Sequence, residues 1–571
     1  MTTVENCPDN CQYGEKNHLE YKWSFDIKEK ILQLSFQLIR SDKLGILSLE
    51  KKLTEILTEL IRNKSDESKY LLSILYKMIG HTRDIIDGKG ECALTYMMIY
   101  TWYDFFPVLS LYALETLVLQ YDILTIPYGS WKDLKYFCEY CKNKNKSLDH
   151  PLIQKCISLM NNQLKTDLHN NKTNSIDISL VAKWIPREKS SFKWIYEAIA
   201  TNYFNEYIIT ATTTELQCKA ILKCKTEYRK ILSTLNKYLD TLQIKQSSKN
   251  WDEINFKNVT SISLSKQKNA FLNIKKNHQP RYIDDMDRIK CASNFETHIK
   301  KSINYKIELK GKRIGMVDFT KQACIINKSP KDQFTKIKTD LLNSQWRDNS
   351  SCSTSFGKMI AMVDVSGSME GDPMNVAIAL GIRIAEKSIL GKRIMTFSNS
   401  PSWVNLEPYK DFVSQTEIIM KSDWGGNTNL YAAFDLILNT IVTNKMNSDD
   451  VKDMIFVILS DMQFDCADKN EYKTVYETIK IKYAEAGKLI CGKPYNPPHI
   501  LFWNLKNTSG FPSLSTQLNV SMMSGFSPAL LNLFCEQGIE ALQFISPWIQ
   551  LEKSLENQRY SILSDKLERE Y

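Results

Sequence analysis

The chain has no apolar stretch long enough to cross a bilayer. Its most hydrophobic region, residues 92–124, is broken by Asp104, Pro107, Glu115 and Asp122 into pieces shorter than the ~18 residues a membrane helix requires. No membrane partner is expected. Residues 1–20 are polar and carry Glu5, Asp9, Glu15 and Glu20, with no basic segment leading into an apolar one, which excludes a secretory signal. An intracellular protein is the expectation, cytoplasmic or nuclear. Glycine (20) and proline (16) are scarce among 571 residues, and 43% hydrophobic content stands beside 24% charge; collagen-like and disordered classes are excluded. No Gly-x-x-x-x-Gly-Lys-Ser/Thr loop and no His-Glu-x-x-His helix occurs, so a phosphate-cradling loop and a zinc-protease helix are both missing.

Fourteen cysteines are scattered singly, which fits reduced, buried thiols better than a disulfide framework. Cys138 and Cys141 form one Cys-x-x-Cys, and Cys7 and Cys11 are also close. A structural zinc ion normally takes four ligands, and neither pair has a second pair nearby. Both read as core thiols.

At one domain per roughly 100–200 residues, the length implies about three units, or one large array plus a domain. Charge is distributed unevenly over them. The formal net charge is +9, yet residues 351–571 carry 20 basic and 25 acidic side chains, whereas residues 201–350 carry 28 basic and 15 acidic. The basic excess includes Lys223, Lys225, Arg229, Lys230, Lys275, Lys276, Lys310, Lys312 and Arg313. Such a surplus suits a surface that meets a polyanion, of which nucleic acid is the commonest, and equally the solvated face of a lysine-rich protein.

The first half repeats the apolar spacing of amphipathic helices. Leu53, Ile56, Leu57, Leu60 and Ile61 make one stripe, Leu71, Ile74, Leu75, Met78 and Ile79 a second, and Tyr228, Ile231, Leu232, Leu235, Tyr238, Leu239 and Leu242 a third. Asp87-Gly88-Lys89-Gly90, Pro127-Tyr128-Gly129 and Pro186 punctuate them. Trp102, Trp131, Trp184, Trp194 and Trp251 fit helix interfaces better than base stacking, because aromatic side chains contribute most through buried area. From Ser247 to Arg347 the stripes weaken into Lys-, Asn- and Ser-rich sequence.

After Gly357 the pattern changes. Residues 359–363, 393–397, 454–459 and 500–503 are short continuous apolar runs, expected of strands covered on both faces. Helical spacings alternate with them at Val376, Leu380 and Ile384 and again over residues 430–441. Asp372-Pro373 and Ser527-Pro528 read as N-caps followed by proline. The chain is therefore expected to be α + α/β: a polar tail (1–20), an α-helical repeat-like region (21–350, basic over 201–350), and a doubly wound, Rossmann-like parallel-sheet domain (351–571).

In that architecture ligands meet the loops after the strands. The first run ends in Asp364-Val365-Ser366-Gly367-Ser368, a later segment in Gly425-Gly426-Asn427-Thr428, and a third run in Ser460-Asp461. Hard divalent cations such as Mg²⁺ or Mn²⁺ take oxygen ligands of this kind and keep open positions. None of the 7 histidines falls in these loops, and a core or surface role suits His499, at a predicted strand start, better than that of a general base. Asp364-Val365-Ser366 also lacks the second aspartate of haloacid-dehalogenase phosphatases.

Asp-x-Ser-x-Ser, a threonine after Gly-Gly and a strand-ending Ser-Asp together resemble the metal-ion-dependent adhesion site of von Willebrand A domains. The resemblance implies Ser366, Ser368 and Thr428 as hydroxyl ligands, with Asp364 and Asp461 direct or water-mediated, and a protein partner's acidic group in the open position. Ser460-Asp461-Met462-Gln463 departs from that family in lacking the glycine that often follows the aspartate. Thr82-Arg83-Asp84 to Gly88-Lys89-Gly90-Glu91, Pro127-Tyr128-Gly129-Ser130-Trp131-Lys132-Asp133, Ala182-Lys183-Trp184-Ile185-Pro186-Arg187-Glu188 and Trp251-Asp252-Glu253-Ile254 resemble, nearly end to end, a family of large DNA viruses, fungi and plants that joins a helical region to such a domain. More distantly, through Gly88-Lys89-Gly90-Glu91, the chain is similar to the Ro ribonucleoprotein family, whose ring of helical TROVE repeats binds small structured RNA. These likenesses imply a non-enzymatic, metal-dependent binding or scaffold protein with a HEAT-like or TROVE-like array. The alternatives are a structured-RNA binder and a structural virion protein.

Overall fold

The computed structural model describes residues 9–16, 18–121, 126–173, 177–305, 307–351, 355–397, 400–422, 429–465, 475–536, 542 and 544–571. Two compact units are each assembled from separated segments. Residues 1–94, 256–280 and 295–557 form the first; residues 95–255, 281–294 and 558–571 form the second.

All regular elements described in the second unit are helices. Its longest, Thr214–Tyr238, buries Ala220, Cys224, Tyr228 and Leu235, a narrow stripe at helical spacing. A polar tie runs through this core. The Tyr228 hydroxyl donates to Asn161 Oδ1 at 2.9 Å, and Asn161 Nδ2 donates to the Ile199 carbonyl at 3.0 Å, joining three helices with every group satisfied. Cys138 and Cys141 on Trp131–Asn143, and Cys156 on Pro151–Lys172, are fully buried here. Burial pushes the Cys141 and Cys156 thiols well above their ordinary range, so these are unreactive packing groups.

The first unit is built on a six-stranded sheet of β3 (Met359–Asp364), β4 (Arg393–Phe397), β5 (Ser402–Asn405), β6 (Ile455–Ser460), β7 (His499–Asn504) and β8 (Val520–Ser524), in the order β5-β4-β3-β6-β7-β8. Only the β4–β5 pairing is antiparallel. Every residue of β3, β6 and β7 is buried, which is why these segments read as unbroken apolar runs. Helix Asp372–Lys387 crosses from β3 to β4 and lies so close to the sheet that a Cβ on Gly381 would stand 2.6 Å from Val363 Cγ2. Farther out, Trp346 of helix Gln333–Ser350 stacks on Phe412 with ring centroids 4.0 Å apart.

N-terminal sequence completes this unit. The Glu29 carboxylate, in helix Ile27–Gln37, accepts the Ser515 backbone N–H at 3.0–3.1 Å, and Asn504 Nδ2 donates to the Phe36 carbonyl at 3.2 Å. Near the N-terminus a small antiparallel hairpin pairs β1 (Cys11–Tyr13) with β2 (Leu19–Tyr21), and Tyr21 pairs with Phe511.

Several local expectations shift. The segment 247–347 is substantially helical, including Ser261–Phe271, Met316–Asn327 and Gln333–Ser350, because a few buried positions such as Ile337, Leu341, Leu342 and Trp346 suffice for one face. Gly371, at φ 101°, caps the helix expected to start after Asp372, which is itself the first helical residue. Pro528 occupies the cap position expected for Ser527, although the Ser527 hydroxyl still accepts the Ala529 N–H at 3.3 Å. Strands β5 and β8 carry too few apolar residues to stand out in the sequence.

Candidate metal centre

In the sheet, β3 and β6 are neighbours whose following connections leave to opposite sides, β3 towards β4 and β6 towards β7. Loops at the carboxyl ends of such a pair diverge and leave a crevice. Asp364 ends β3 and Ser460-Asp461 ends and follows β6, so the chain places both carboxylates at the carboxyl ends of that pair.

Asp364 is fully buried. Its Oδ1 accepts the Ser366 N–H at 2.9 Å and its Oδ2 accepts the Ser460 hydroxyl at 2.5 Å. The Ser460 hydroxyl oxygen in turn accepts the Met462 N–H at 3.1 Å. The hydroxyl oxygens of Ser366 and Ser368 face each other at 3.0 Å. Asp461 is 1% exposed, and its Oδ1 accepts the Gln463 N–H at 3.3 Å. Burial first, and the Asp461 carboxylate second, push the Asp364 carboxyl up to about 6. Two carboxylates and two hydroxyls thus crowd together with few protein donors between them. Thr428 lies outside the described residues.

The donor set fits a hard divalent ion. Two neighbouring oxygens on an octahedron with bonds of about 2.0–2.1 Å stand about 2.9 Å apart, close to the serine pair's separation. Among the described residues no three His, Cys, Asp or Glu side chains converge on a metal position, so any ion here would depend on the hydroxyl oxygens as well as the two carboxylates.

Two neighbouring features carry no sequence motif. Lys506, just beyond β7, donates to the Ser368 carbonyl at 2.8 Å and brings its ammonium to 3.9 Å from Asp461 Oδ2. The β1–β2 hairpin buttresses the loop after Asp461: Gln463 Oε1 accepts the Glu15 N–H at 2.8 Å, and Gln463 Nε2 donates to the buried Glu20 carboxylate at 3.3 Å. Position relative to the strand ends identifies Lys506 by the rule that found Asp364; nothing local identifies the hairpin. His499 begins β7, at the opposite end of the sheet, where its Nε2 lies 3.0 Å from the Ser521 hydroxyl.

The basic candidates divide between the units. Lys223, Lys225, Arg229 and Lys230 belong to the second, where Lys225 pairs with Glu197 at 3.1 Å, Arg229 with Glu188 at 3.3 Å and Lys230 with Glu227 at 2.8 Å, and Lys223 lies over the Tyr207 ring at 3.9 Å. Lys275, Lys276, Lys310, Lys312 and Arg313 are exposed residues of the first, Arg313 donating to the Ile85 carbonyl at 3.0 Å. Lys89 is buried instead. Its ammonium donates to the Ser35 carbonyl at 2.5 Å, the Leu38 carbonyl at 3.1 Å and the Ser524 hydroxyl at 2.7 Å, fastening the end of helix Ile27–Gln37 to β8.

Residues 358–564 match a domain of unknown function (DUF7788), and residues 141–349 match another (DUF2828). The chain is 30% identical over 492 residues to the uncharacterized protein L728 of Acanthamoeba polyphaga mimivirus, an alignment covering 84% of this chain and 79% of that protein. It belongs to the family of that viral protein. Among the described residues no helix is long and apolar enough to cross a membrane.

Proposed function

We propose that the crevice at the ends of β3 and β6 is a divalent-cation site of the von Willebrand A type, through which this protein captures an acidic group of a protein partner without catalysing a reaction. The observation that carries this reading is the pairing of the Ser366 and Ser368 hydroxyls at 3.0 Å above a fully buried Asp364. Ser366 and Ser368, with Thr428, would ligate Mg²⁺ or Mn²⁺ through hydroxyl oxygens, while Asp364 and Asp461 balance its charge directly or through water. Such an ion supplies a positive point for an incoming carboxylate. The sheet order, with an antiparallel edge strand beside β4, also agrees with that class.

Asp364 holds Ser366 in place through its N–H, and the Ser460 hydroxyl orients Asp364 from the neighbouring strand. Capture of partner by the full-length protein in Mg²⁺ should be lost in EDTA and in Asp364→Ala. Capture indifferent to both would overturn the reading. A second reading, a Ro-like component binding structured RNA, draws on the excess of basic residues over 201–350. It requires binding that falls steeply with salt, and no binding at low salt would remove it.

A further inference from the structure

Two sequence segments to which the metal centre gives no role, residues 127–133 and 182–188, come together on one face of the second unit. Helix Trp131–Asn143 carries Lys132, Lys135, Tyr136, Glu139 and Lys142 on this face, at helical spacing over about 15 Å. Against them stand Trp184, Phe192 and Trp194. The ammonium groups of Lys132, Lys135 and Lys183 lie 6.0, 5.2 and 5.7 Å from the centre of the Trp184 ring, and that of Lys142 lies 4.6 Å from the Trp194 ring. Lys135 also lies 5.1 Å from the Tyr136 ring, which Phe192 meets edge-on at 5.4 Å.

Among the described residues these four lysines form no ion pair, and aromatic rings are their partners. Burial lowers the Lys183 ammonium, and burial with the neighbouring Lys132 charge lowers that of Lys135. Glu139 is the acid of this face, and it accepts the Trp194 indole N–H at 3.0 Å. Asp133 is turned inward, fully buried against Ser130 and Tyr96. Four ammonium groups thus stand beside one carboxylate. The rings are open as well. Trp102 is wholly enclosed, as a residue that only fills a helix interface should be, whereas Trp184 and Trp194 keep part of their surface in solvent and Tyr136 is 41% exposed.

We propose that this face binds single-stranded nucleic acid, its lysines meeting backbone phosphates and the Trp184 and Tyr136 rings meeting bases. The surface is separate from the metal centre and lies outside the basic stretch 201–350. An ammonium over a ring in water is weakly held, so an arriving phosphate oxygen draws it away and frees the ring face for a base. Alternating cations and aromatic rings along one track are what a single strand uses. A duplex keeps its bases stacked inward and meets the lysines alone. An acidic peptide likewise matches the charge and leaves the rings unused. A bilayer surface calls for protruding apolar side chains, and the three rings opposite the helix are only partly exposed.

The test adds a labelled oligouridylate of about 12 nucleotides to the full-length protein at low salt and follows its anisotropy together with tryptophan fluorescence. The same strand annealed to its complement, polyglutamate and phosphatidylserine vesicles are the comparisons. The single strand should bind, quench the fluorescence, and hold about tenfold tighter than the duplex or polyglutamate, with no binding to vesicles. Joint Lys135→Gln and Lys183→Gln substitution should weaken it about tenfold and flatten the logarithmic salt slope by about one. Loss of two half-desolvated charges leaves the fold intact, which circular dichroism checks. Tyr136→Ala, at an exposed ring, should weaken binding about fivefold. Lys230→Gln, within 201–350 and paired with Glu227, should leave it unchanged. No binding at low salt, equal binding of duplex, polyglutamate or vesicles, wild-type affinity in the double variant or in Tyr136→Ala, or an equal loss in Lys230→Gln would overturn the proposal.

Discussion

Asp364 and Lys89 are both buried, ionisable and part of a segment that resembles a known family, yet they stand in opposite surroundings. The three N–H groups of the Lys89 ammonium meet three acceptors, two carbonyls that end a helix and one serine hydroxyl of β8. Its valence is filled by the protein, and its work is to clamp. Around Asp364 oxygens outnumber donors: two carboxylates and the facing hydroxyls of Ser366 and Ser368 stand at the ends of β3 and β6, with the Lys506 ammonium 3.9 Å from Asp461. That imbalance calls for something from outside. Both charges are opposed by burial, which lowers the Lys89 ammonium to about 7 and raises the Asp364 carboxyl to about 6, so the difference on which the proposed site rests is the filled hydrogen-bond valence of the one and the unfilled oxygens around the other.

The sharpest break in this comparison comes from Lys89→Met, which takes the ammonium donor from the Leu38 carbonyl and leaves the Ser35 carbonyl with only the Leu38 N–H and the Ser524 hydroxyl. It should cost about 3 kcal/mol of stability in urea unfolding, with no change in cation binding. A neutral result would mean that the clamp is ornamental. Next in size is an acid effect. Burial lowers His81, near the clamp, to about 3 and His499 to about 4. Because the unfolded chain takes up these protons first, near pH 6.5, stability should fall as pH drops from about 6.5 towards 4. His499→Gln should remove on the order of 2 kcal/mol of that fall, measured as unfolding free energy against pH; a slope unchanged by the substitution would contradict it. Smallest is Lys506→Ala. Removing a half-exposed ammonium 3.9 Å from Asp461 should tighten divalent-cation binding about threefold, and weakened binding would make Lys506 a support rather than a competitor.

Much of the sheet was legible in the sequence, for a physical reason. β3, β4, β6 and β7 are largely buried runs without polar interruption, and Asp364, Ser366, Ser368 and Asp461 follow two of them directly. β5 and β8 escaped because Ser-Trp-Val-Asn and Val-Ser-Met-Met-Ser are edge strands with mixed side chains. The grouping of residues 1–94 with the sheet left no local trace. Its contacts, such as Glu29 with Ser515, join residues hundreds of positions apart, and neither partner alters the apolar period of its own segment. The hairpin that supports Gln463 was hidden likewise, since its polar residues are buried by distant loops. Lys506 follows a strand and was open to the rule that found Asp364; a lone lysine simply does not look like part of an oxygen-ligand set.

The central claim is that the surplus of oxygen at Asp364, Ser366, Ser368 and Asp461 binds a divalent ion. Calorimetric titration of the metal-free full-length protein with Mn²⁺ and Mg²⁺ tests it most directly. One equivalent of either ion should bind to the wild type, and that binding should vanish in Asp364→Ala while Lys89→Met retains it. Absence of binding in the wild type, or binding undiminished in Asp364→Ala, would contradict the account.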